Sequence, residues 1–116
     1  KKKAIVFLIS DFMVNDYEKT LKIAAKKHDV TGIRVYDIRE QSIPNLGMVN
    51  LLDAETGETM LVDTSSKSVR FNYEKEYAQN VKYFTETFSK SGAGTFSSRV
   101  DESYVTKLLG YFKARN

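Results

Sequence analysis

An unbroken apolar run lies near the start of the chain. Residues 4–9 are all apolar, without polar alternation, and the run ends at Ser10 and Asp11. A strand that is apolar on both faces must be covered on both faces, which is typical of a central parallel strand in an α/β sheet. Ligands bind at the carboxyl ends of such strands, so the pattern places Ser10 and Asp11 at a candidate binding edge.

The next segments predict a helix and a second strand. Asn15 or Asp16 is a good N-cap for the helix that follows the first strand. Residues 30–36 are rich in β-branched side chains and predict a strand that is parallel to the first through a right-handed crossover. This strand ends at Asp37, which we therefore expect at the same edge of the sheet as Asp11.

A hairpin and a long helix follow. Residues 48–52 and 58–62 flank a loop in which Gly57 can adopt a positive φ. One of the hydroxyl side chains of residues 64–66 can cap a helix with an apolar stripe at spacings of three and four. The stripe comprises Val69, Tyr73, Tyr77, Val81, Phe84 and Phe88.

The last segments complete an α/β pattern. Residues 91–94 end the long helix, residues 95–100 predict a third parallel strand at a sheet edge, and Asp101 caps a last helix. The apolar face of that helix comprises Tyr104, Val105, Leu108, Leu109 and Phe112. The sequence therefore predicts an α/β fold in one domain, residues 1–116. It is a truncated, doubly wound, Rossmann-like three-layer fold with about three parallel strands, an inserted β-hairpin and three helices.

Composition excludes several kinds of site. The chain has no cysteine and one histidine, so thiolate and His–Cys metal sites are excluded, and we interpret His28 as a cation at the end of the first helix. The net charge of +3 is matched by the three lysines at the start, so no nucleic-acid partner is expected. The apolar runs are far shorter than the ~20 residues that cross a bilayer, so this segment is expected to be soluble.

Several short sequence motifs, in order along nearly the whole chain, resemble those of the bacterial family called domain of unknown function 58, whose members are von Willebrand factor A-like. The motifs are FLISDF (7–12), HDV (28–30), RVYDIRE (34–40), IPNLG (43–47), DAETGE (53–58), VDTS (62–65) and DESYV (101–105). The chain resembles the C-terminal half of a von Willebrand A domain. Its start at Lys1, without an initiator Met, predicts a larger protein with an upstream segment.

The resemblance implies a cation site in the longer protein. Von Willebrand A domains hold a divalent cation with an Asp-x-Ser-x-Ser word, a Thr and the Asp of a Thr/Ser-Asp-Gly turn. Only the last of these matches this sequence, at Ser10 and Asp11, with Phe12 in place of Gly. Asp11 is therefore either a metal or partner ligand in the intact protein, with Mg²⁺ as the implied metal, or a structural residue that accepts loop N–H groups. No cofactor is expected in this segment alone.

The favoured function is a non-enzymatic protein-interaction module, with no catalytic residues. The resemblance implies a MoxR-type AAA+ ATPase as its partner, bound at the rim of Ser10, Asp11 and Asp37. We expect a cytoplasmic location, with membrane association through an upstream segment left open. The alternative is a Rossmann-like enzyme that uses Asp11 and Asp37 in metal-dependent phosphoryl transfer or hydrolysis. A purely structural or nucleic-acid-binding role is supported only by the pI near 9.1.

The first strand also predicts self-association. In a complete domain of this kind we expect the first strand in the middle of the sheet, whereas without the strand upstream of Lys1 it lies at an edge. An apolar edge strand exposes unpaired N–H and C=O groups beside apolar side chains, which is a template for another chain. We expect a homodimer in which two copies pair antiparallel through this strand or pack face to face about a twofold axis. Near that axis lie Ile5, Phe7 and Ile9, or their alternates Val6 and Leu8.

Overall fold

The computed structural model describes residues 3–53 and 56–115, apart from the side chains of Tyr104 and Arg115. In this part of the chain it shows a mixed α/β protein with a parallel three-stranded sheet, an antiparallel pair and three α-helices. In chain order the elements are β1 (Ile5–Ser10), α1 (Glu18–Lys27), β2 (Asp29–Tyr36), a short 3₁₀ turn (Ile38–Glu40), β3 (Met48–Leu52), β4 (Thr59–Asp63), α2 (Lys67–Lys90), β5 (Gly94–Arg99) and α3 (Tyr104–Arg115). This order is the predicted one, with β1, β4 and β5 displaced by one residue and β2 beginning one residue earlier.

The described chain divides into two compact units. One unit runs up to Ile38 and resumes at Gln79, and the other comprises Arg39–Ala78. The first unit contains the parallel sheet, in the order β1-β2-β5. Ser10 lies opposite Arg34, and Tyr36 lies opposite Arg99. The carboxyl ends of all three strands therefore lie at one edge of the sheet.

The core of the first unit lies on one face of this sheet, against α1 and the last turns of α2. It comprises Phe12, Leu21, Val30, Phe84 and Phe88. Gly32 of β2 faces the same helix, where an added Cβ would collide with the ring of Phe88. The absence of a side chain at this position is therefore what allows α2 to approach the sheet closely.

The last helix covers the opposite face of the sheet. The ring of Phe112 meets that of Phe7 edge to face, with centroids 5.7 Å apart. The hydroxyl groups of Tyr111 and Thr31 lie 3.1 Å apart. Since Thr31 and Val30 point to opposite faces of β2, the last helix lies on the face opposite the one that α1 and the end of α2 cover.

The predicted apolar face of α3 is partly wrong. Leu108 and Phe112 are half-buried as expected, but Val105 and Leu109 are exposed. The predicted Tyr104 side chain lies outside the described residues. The helix instead turns Tyr111 toward the sheet, where its hydroxyl reaches Thr31.

The predicted cap of α1 is also wrong. Tyr17 occupies the N-cap position and makes no side-chain cap hydrogen bond, while Asp16 adopts a φ of 72°. The hydroxyl oxygen of Tyr83, on α2, accepts the backbone N–H groups of Asp16, Tyr17 and Glu18, each at 3.1 Å. A side chain from another helix thus satisfies N–H groups that helices leave without partners at their N-termini.

The C-terminal end of α1 differs from expectation as well. His28 is the C-cap residue, and its Nδ1 accepts the backbone N–H of Ala4 at 3.0 Å. The imidazole therefore links the end of α1 to the residue that precedes β1, a contact that the interpretation of His28 as a helix-end cation does not include.

Both ends of α2 match expectation. Ser66 accepts the N–H of Val69 at 3.3 Å, as an N-cap does. Gly92 has a φ of 74°, and the N–H groups of Gly92 and Ala93 donate to the carbonyls of Ser89 and Phe88, which is a Schellman ending. None of the described helices is both long and apolar enough to cross a membrane.

The prediction that Asp101 caps α3 is wrong. The helix begins three residues later, at Tyr104. Asp101 instead accepts the Nε–H of Arg99 at 3.1 Å, and Glu102 accepts the backbone N–H of Arg99. The two acidic side chains therefore close the turn that follows β5.

The second unit is built around the antiparallel pair of β3 and β4. Gly57 has a φ of 76°, as predicted for the hairpin loop, of which Ala54 and Glu55 lie outside the described residues. The buried hydroxyl of Thr64 donates to the carbonyl of Gly47 at 2.6 Å. This hydrogen bond closes the base of the hairpin.

Candidate functional site

The turn after β1 contains Ser10 and Asp11. The Oγ of Ser10 accepts the N–H of Phe12 at 3.1 Å, and the Oδ1 of Asp11 accepts the N–H of Met13 at 3.0 Å. Both side chains thus accept an N–H two residues ahead, as short polar side chains do in turns. Of the two interpretations of Asp11, the contact in this structure matches the structural one, in which the carboxylate accepts a loop N–H group.

The backbone conformation of Phe12 is unfavourable, and the hydrogen bonds of Ser10 and Asp11 help to stabilise it. Its φ of 54° lies in the left-handed region, where the resemblance expects Gly and where a side chain costs about 1–2 kcal/mol. The ring is buried and lies 4.5 Å from the ring of Phe84 and 5.4 Å from that of Phe88, between centroids. The turn therefore points an aromatic side chain into the core while Ser10 and Asp11 remain exposed.

Asp37 lies at the same edge of the sheet but further along it. Ser10 is opposite Arg34, three residues before Asp37. At about 3.3 Å per residue, Asp37 lies roughly 10 Å beyond Ser10 along the strand direction. The structure therefore places the predicted rim residues at one edge of the sheet, with Asp37 apart from Ser10 and Asp11 along the strand direction.

Sequence reasoning missed a buried arginine beside this rim. Arg34 is buried in β2, and its guanidinium carbon lies 4.5 Å from the ring centroid of Tyr36. This is the geometry of a cation–π contact. A charged residue within the otherwise uncharged pattern of residues 30–36 is the signal that could have identified it.

The residues at the rim do not by themselves fit a Mg²⁺ site. Mg²⁺ requires six oxygen ligands in near-octahedral geometry, whereas Ser10 and Asp11 supply two side chains that already accept N–H groups. Across residues 3–53 and 56–115, no three side chains of His, Cys, Asp or Glu are grouped so that they could hold a metal ion.

The free side of β1 is the other candidate. In the described residues, β1 hydrogen-bonds only with β2 and is therefore an edge strand. Ile5 is 63% exposed, Ile9 is 61% exposed and Leu8 is also exposed. Val6 packs against the core on one face, and Phe7 contacts Phe112 on the other. The five predicted self-association residues thus form an edge with apolar side chains on both faces.

An open apolar pocket adjoins this edge. It has a volume of about 430 Å³, and its walls include Leu8, Val14, Tyr17, Leu21 and Phe88. Burial, followed by the neighbouring Tyr83, raises the pKa of Tyr17 to about 12, so its phenol is neutral at physiological pH. The apolar surface therefore extends from the β1 edge toward α1.

Comparison with known proteins identifies the family. The chain matches the family "Protein of unknown function DUF58" over residues 1–83, and it belongs to this family. It is similar to "Uncharacterized protein MAV169" of Mycobacterium avium, with 29% identity over 99% of the chain and 68% of that protein. It is also similar to "Uncharacterized protein Mb1516" of Mycobacterium bovis and "Uncharacterized protein Rv1480" of Mycobacterium tuberculosis.

These last two relatives are much longer than the chain. Each is 26% identical to it over 99% of the chain, which spans only 36% of their length. No solved structure matches the chain.

Proposed function

We propose that this chain is a non-enzymatic protein-interaction module of a bacterial protein. The observation that carries the proposal is the β1 edge, where Ile5 and Ile9 are both more than 60% exposed. β-strand addition requires an exposed sheet edge, where main-chain groups supply affinity and alternate side chains supply specificity, and the apolar side chains on both faces of β1 add surface to be covered. The engagement of Ser10 and Asp11 within their own turn favours this role over metal-dependent chemistry at Asp11 and Asp37.

The proposal includes a finer fold assignment. We assign the chain to the von Willebrand A-like, doubly wound class, as the C-terminal half of such a domain. Parallel strands in the order β1-β2-β5, with helices on both faces, support this assignment. Membership of the DUF58 family, which the short sequence motifs also indicate, supports it as well.

One proposed partner of the β1 edge is a second copy of the chain. Two β1 strands that pair antiparallel about a twofold axis at Phe7 place Ile5 of one copy opposite Ile9 of the other. Each copy then satisfies the free N–H and C=O groups of its partner and covers its exposed apolar side chains. The result is a homodimer with one continuous sheet.

A second proposed partner is a MoxR-type AAA+ ATPase, which the family resemblance implies. It would bind the rim of Ser10, Asp11 and Asp37, where Ser10 and Asp11 are exposed. If so, Asp11→Ala and Asp37→Ala reduce capture of such an ATPase, while Asp16→Ala, at an exposed acid before α1, does not. Loss of capture with all three variants, or with none, would refute binding at the rim.

The experiment for the β1 edge is sedimentation velocity at roughly micromolar concentration. We expect the chain to sediment as a dimer and the Ile9→Lys variant to sediment as a monomer, because a charge at the edge prevents pairing. Ile23→Lys is the matched control, since Ile23 is an apolar residue of α1 that is 53% exposed. A chain that is monomeric without any substitution would contradict the dimer.

A further inference from the structure

The segment of residues 40–66 differs in charge from the rest of the chain. It contains five acidic residues and no Lys or Arg, so all 18 basic residues lie outside it. The hairpin of β3 and β4 makes up most of its regular structure. An otherwise basic chain therefore carries one acidic hairpin.

One face of this hairpin is also apolar and open. Opposed residues of an antiparallel pair share a face, so the register defines an outer hairpin face. It comprises Met48, Asn50, Leu52, Thr59, Leu61 and Asp63. Leu52 is 69% exposed, Leu61 is 62% exposed and Met48 is exposed as well. On the other face Val49 and Val62 are half-buried while Leu51 and Met60 are exposed, but only the outer face also carries a carboxylate within the strand pairing. A contiguous set of exposed apolar side chains with polar neighbours is typical of an interaction surface.

A carboxylate lies on the same face as these side chains. Asp63 accepts hydrogen bonds from the backbone N–H of Ser65 at 3.0 Å and from its hydroxyl at 2.5 Å. These two bonds lower the pKa of Asp63, so the side chain remains charged at neutral pH. Since Leu61 is two residues away on the same strand, the negative charge and the apolar surface are presented together.

We propose that the outer hairpin face is a docking surface for a protein segment that presents apolar side chains beside lysine or arginine. Charge complementarity selects this occupant, because the acidic hairpin repels nucleic acid and anionic membrane surfaces, while a basic segment is attracted. The apolar side chains of the occupant cover Leu52 and Leu61, and its cation faces Asp63. The outer hairpin face shares no residue with the β1 edge, and the proposal does not depend on the function proposed for that edge.

The test uses two synthetic amphipathic peptides that have the same leucines, one with lysines and one with glutamates. We expect fluorescence anisotropy to detect binding of the lysine peptide to the intact chain and none of the glutamate peptide. Leu61→Ser and Asp63→Asn should each weaken that binding by about tenfold, the effect of losing one buried side chain or charged contact. Because both side chains are exposed, unchanged urea midpoints check that the variants fold.

Matched controls separate this surface from others. Ile23→Ser removes a comparably exposed apolar side chain from α1, Asp16→Asn removes an exposed acid before it, and Ile9→Lys blocks the β1 edge. All three should leave peptide binding unchanged. The proposal is overturned if the lysine peptide does not bind or if these controls weaken it as much as the hairpin variants do. Binding to phosphatidylglycerol vesicles in preference to the peptide would also overturn it.

Discussion

Ala4 and His28 are joined by a hydrogen bond, in which the backbone N–H of Ala4 donates to the imidazole Nδ1 at 3.0 Å. The next residue after His28 completes the link, since the N–H of Asp29 donates to the carbonyl of Ala4 at 2.9 Å. The end of α1 thus holds the residue that precedes β1. The strand whose free edge we propose as an interface is anchored at its start by a side chain.

We expect His28→Ala to loosen this anchor without unfolding the protein. Loss of one exposed hydrogen bond costs less than about 1 kcal/mol, whereas Phe84→Ala, in the core, costs about 3–5 kcal/mol. Urea melts give this ranking, and amide hydrogen exchange should show faster exchange at Ala4 in His28→Ala. His28→Asn, which keeps an acceptor, should exchange more slowly there than His28→Ala. A larger loss of stability for His28→Ala than for Phe84→Ala would contradict this view.

Tyr83→Phe should destabilise α1. The substitution removes the oxygen that accepts the N–H groups of Asp16, Tyr17 and Glu18, and loss of a helix cap costs about 0.5–2 kcal/mol. Tyr73→Phe is the control on the same helix, because that hydroxyl makes one exposed hydrogen bond, to the carbonyl of Glu40. Urea melts should show the greater loss for Tyr83→Phe. Equal losses would mean that the three contacts do not act as a cap.

Tyr17 should make stability depend on alkaline pH. Burial, and then Tyr83, raise its pKa from 10.0 to about 12, so the folded protein holds the phenol proton more tightly than the unfolded chain does. The stabilisation is complete below pH 10 and is lost as pH rises toward about 12. The free energy of unfolding should therefore fall over this range less in Tyr17→Phe than in the unsubstituted chain. At neutral pH the substitution should cost nothing, because the Tyr17 hydroxyl has no hydrogen-bond partner within the described part of the chain. Parallel slopes for the two proteins would contradict this.

Calorimetric titration tests whether the turn after β1 binds Mg²⁺. We expect Mg²⁺ to bind this chain no better than about millimolar, because Ser10 and Asp11 cannot replace six oxygen ligands. Asp11→Ala should leave the titration unchanged, as should Asp16→Ala. A micromolar site that disappears only in Asp11→Ala would favour the metal-dependent alternative.

Local patterns in the sequence predict most of the helices and strands and their order. The strand β1 and the hairpin at Gly57, for example, are specified by residues that are close together in the sequence. Contacts between distant residues carry no such signal. Nothing near Asp16 indicates that Tyr83 caps its helix, and nothing in α3 indicates that Tyr111 faces Thr31.

For the candidate site, too, the position of the residues could be predicted but their contacts could not. The hydrophobic pattern predicts parallel strands that end at Ser10 and Tyr36, which places Ser10, Asp11 and Asp37 at one edge of the sheet. Their function could not be predicted, because it depends on where each oxygen points. Asp11 reaches the N–H of Met13, and that contact is visible only in three dimensions.

The most direct measurement of the central proposal is disulfide crosslinking at the β1 edge. The chain has no cysteine, so single cysteines at exposed edge positions report only the contacts of interest. Antiparallel pairing about Phe7 brings position 5 of one copy opposite position 9 of the other, within the ~4.4–6.8 Å between Cα atoms that a disulfide spans. We expect a mixture of Ile5→Cys and Ile9→Cys to form a crosslinked dimer under mild oxidation, and each variant alone to form none. No crosslink in the mixture, with both variants sedimenting as monomers, would contradict the β1 edge as an interface between copies.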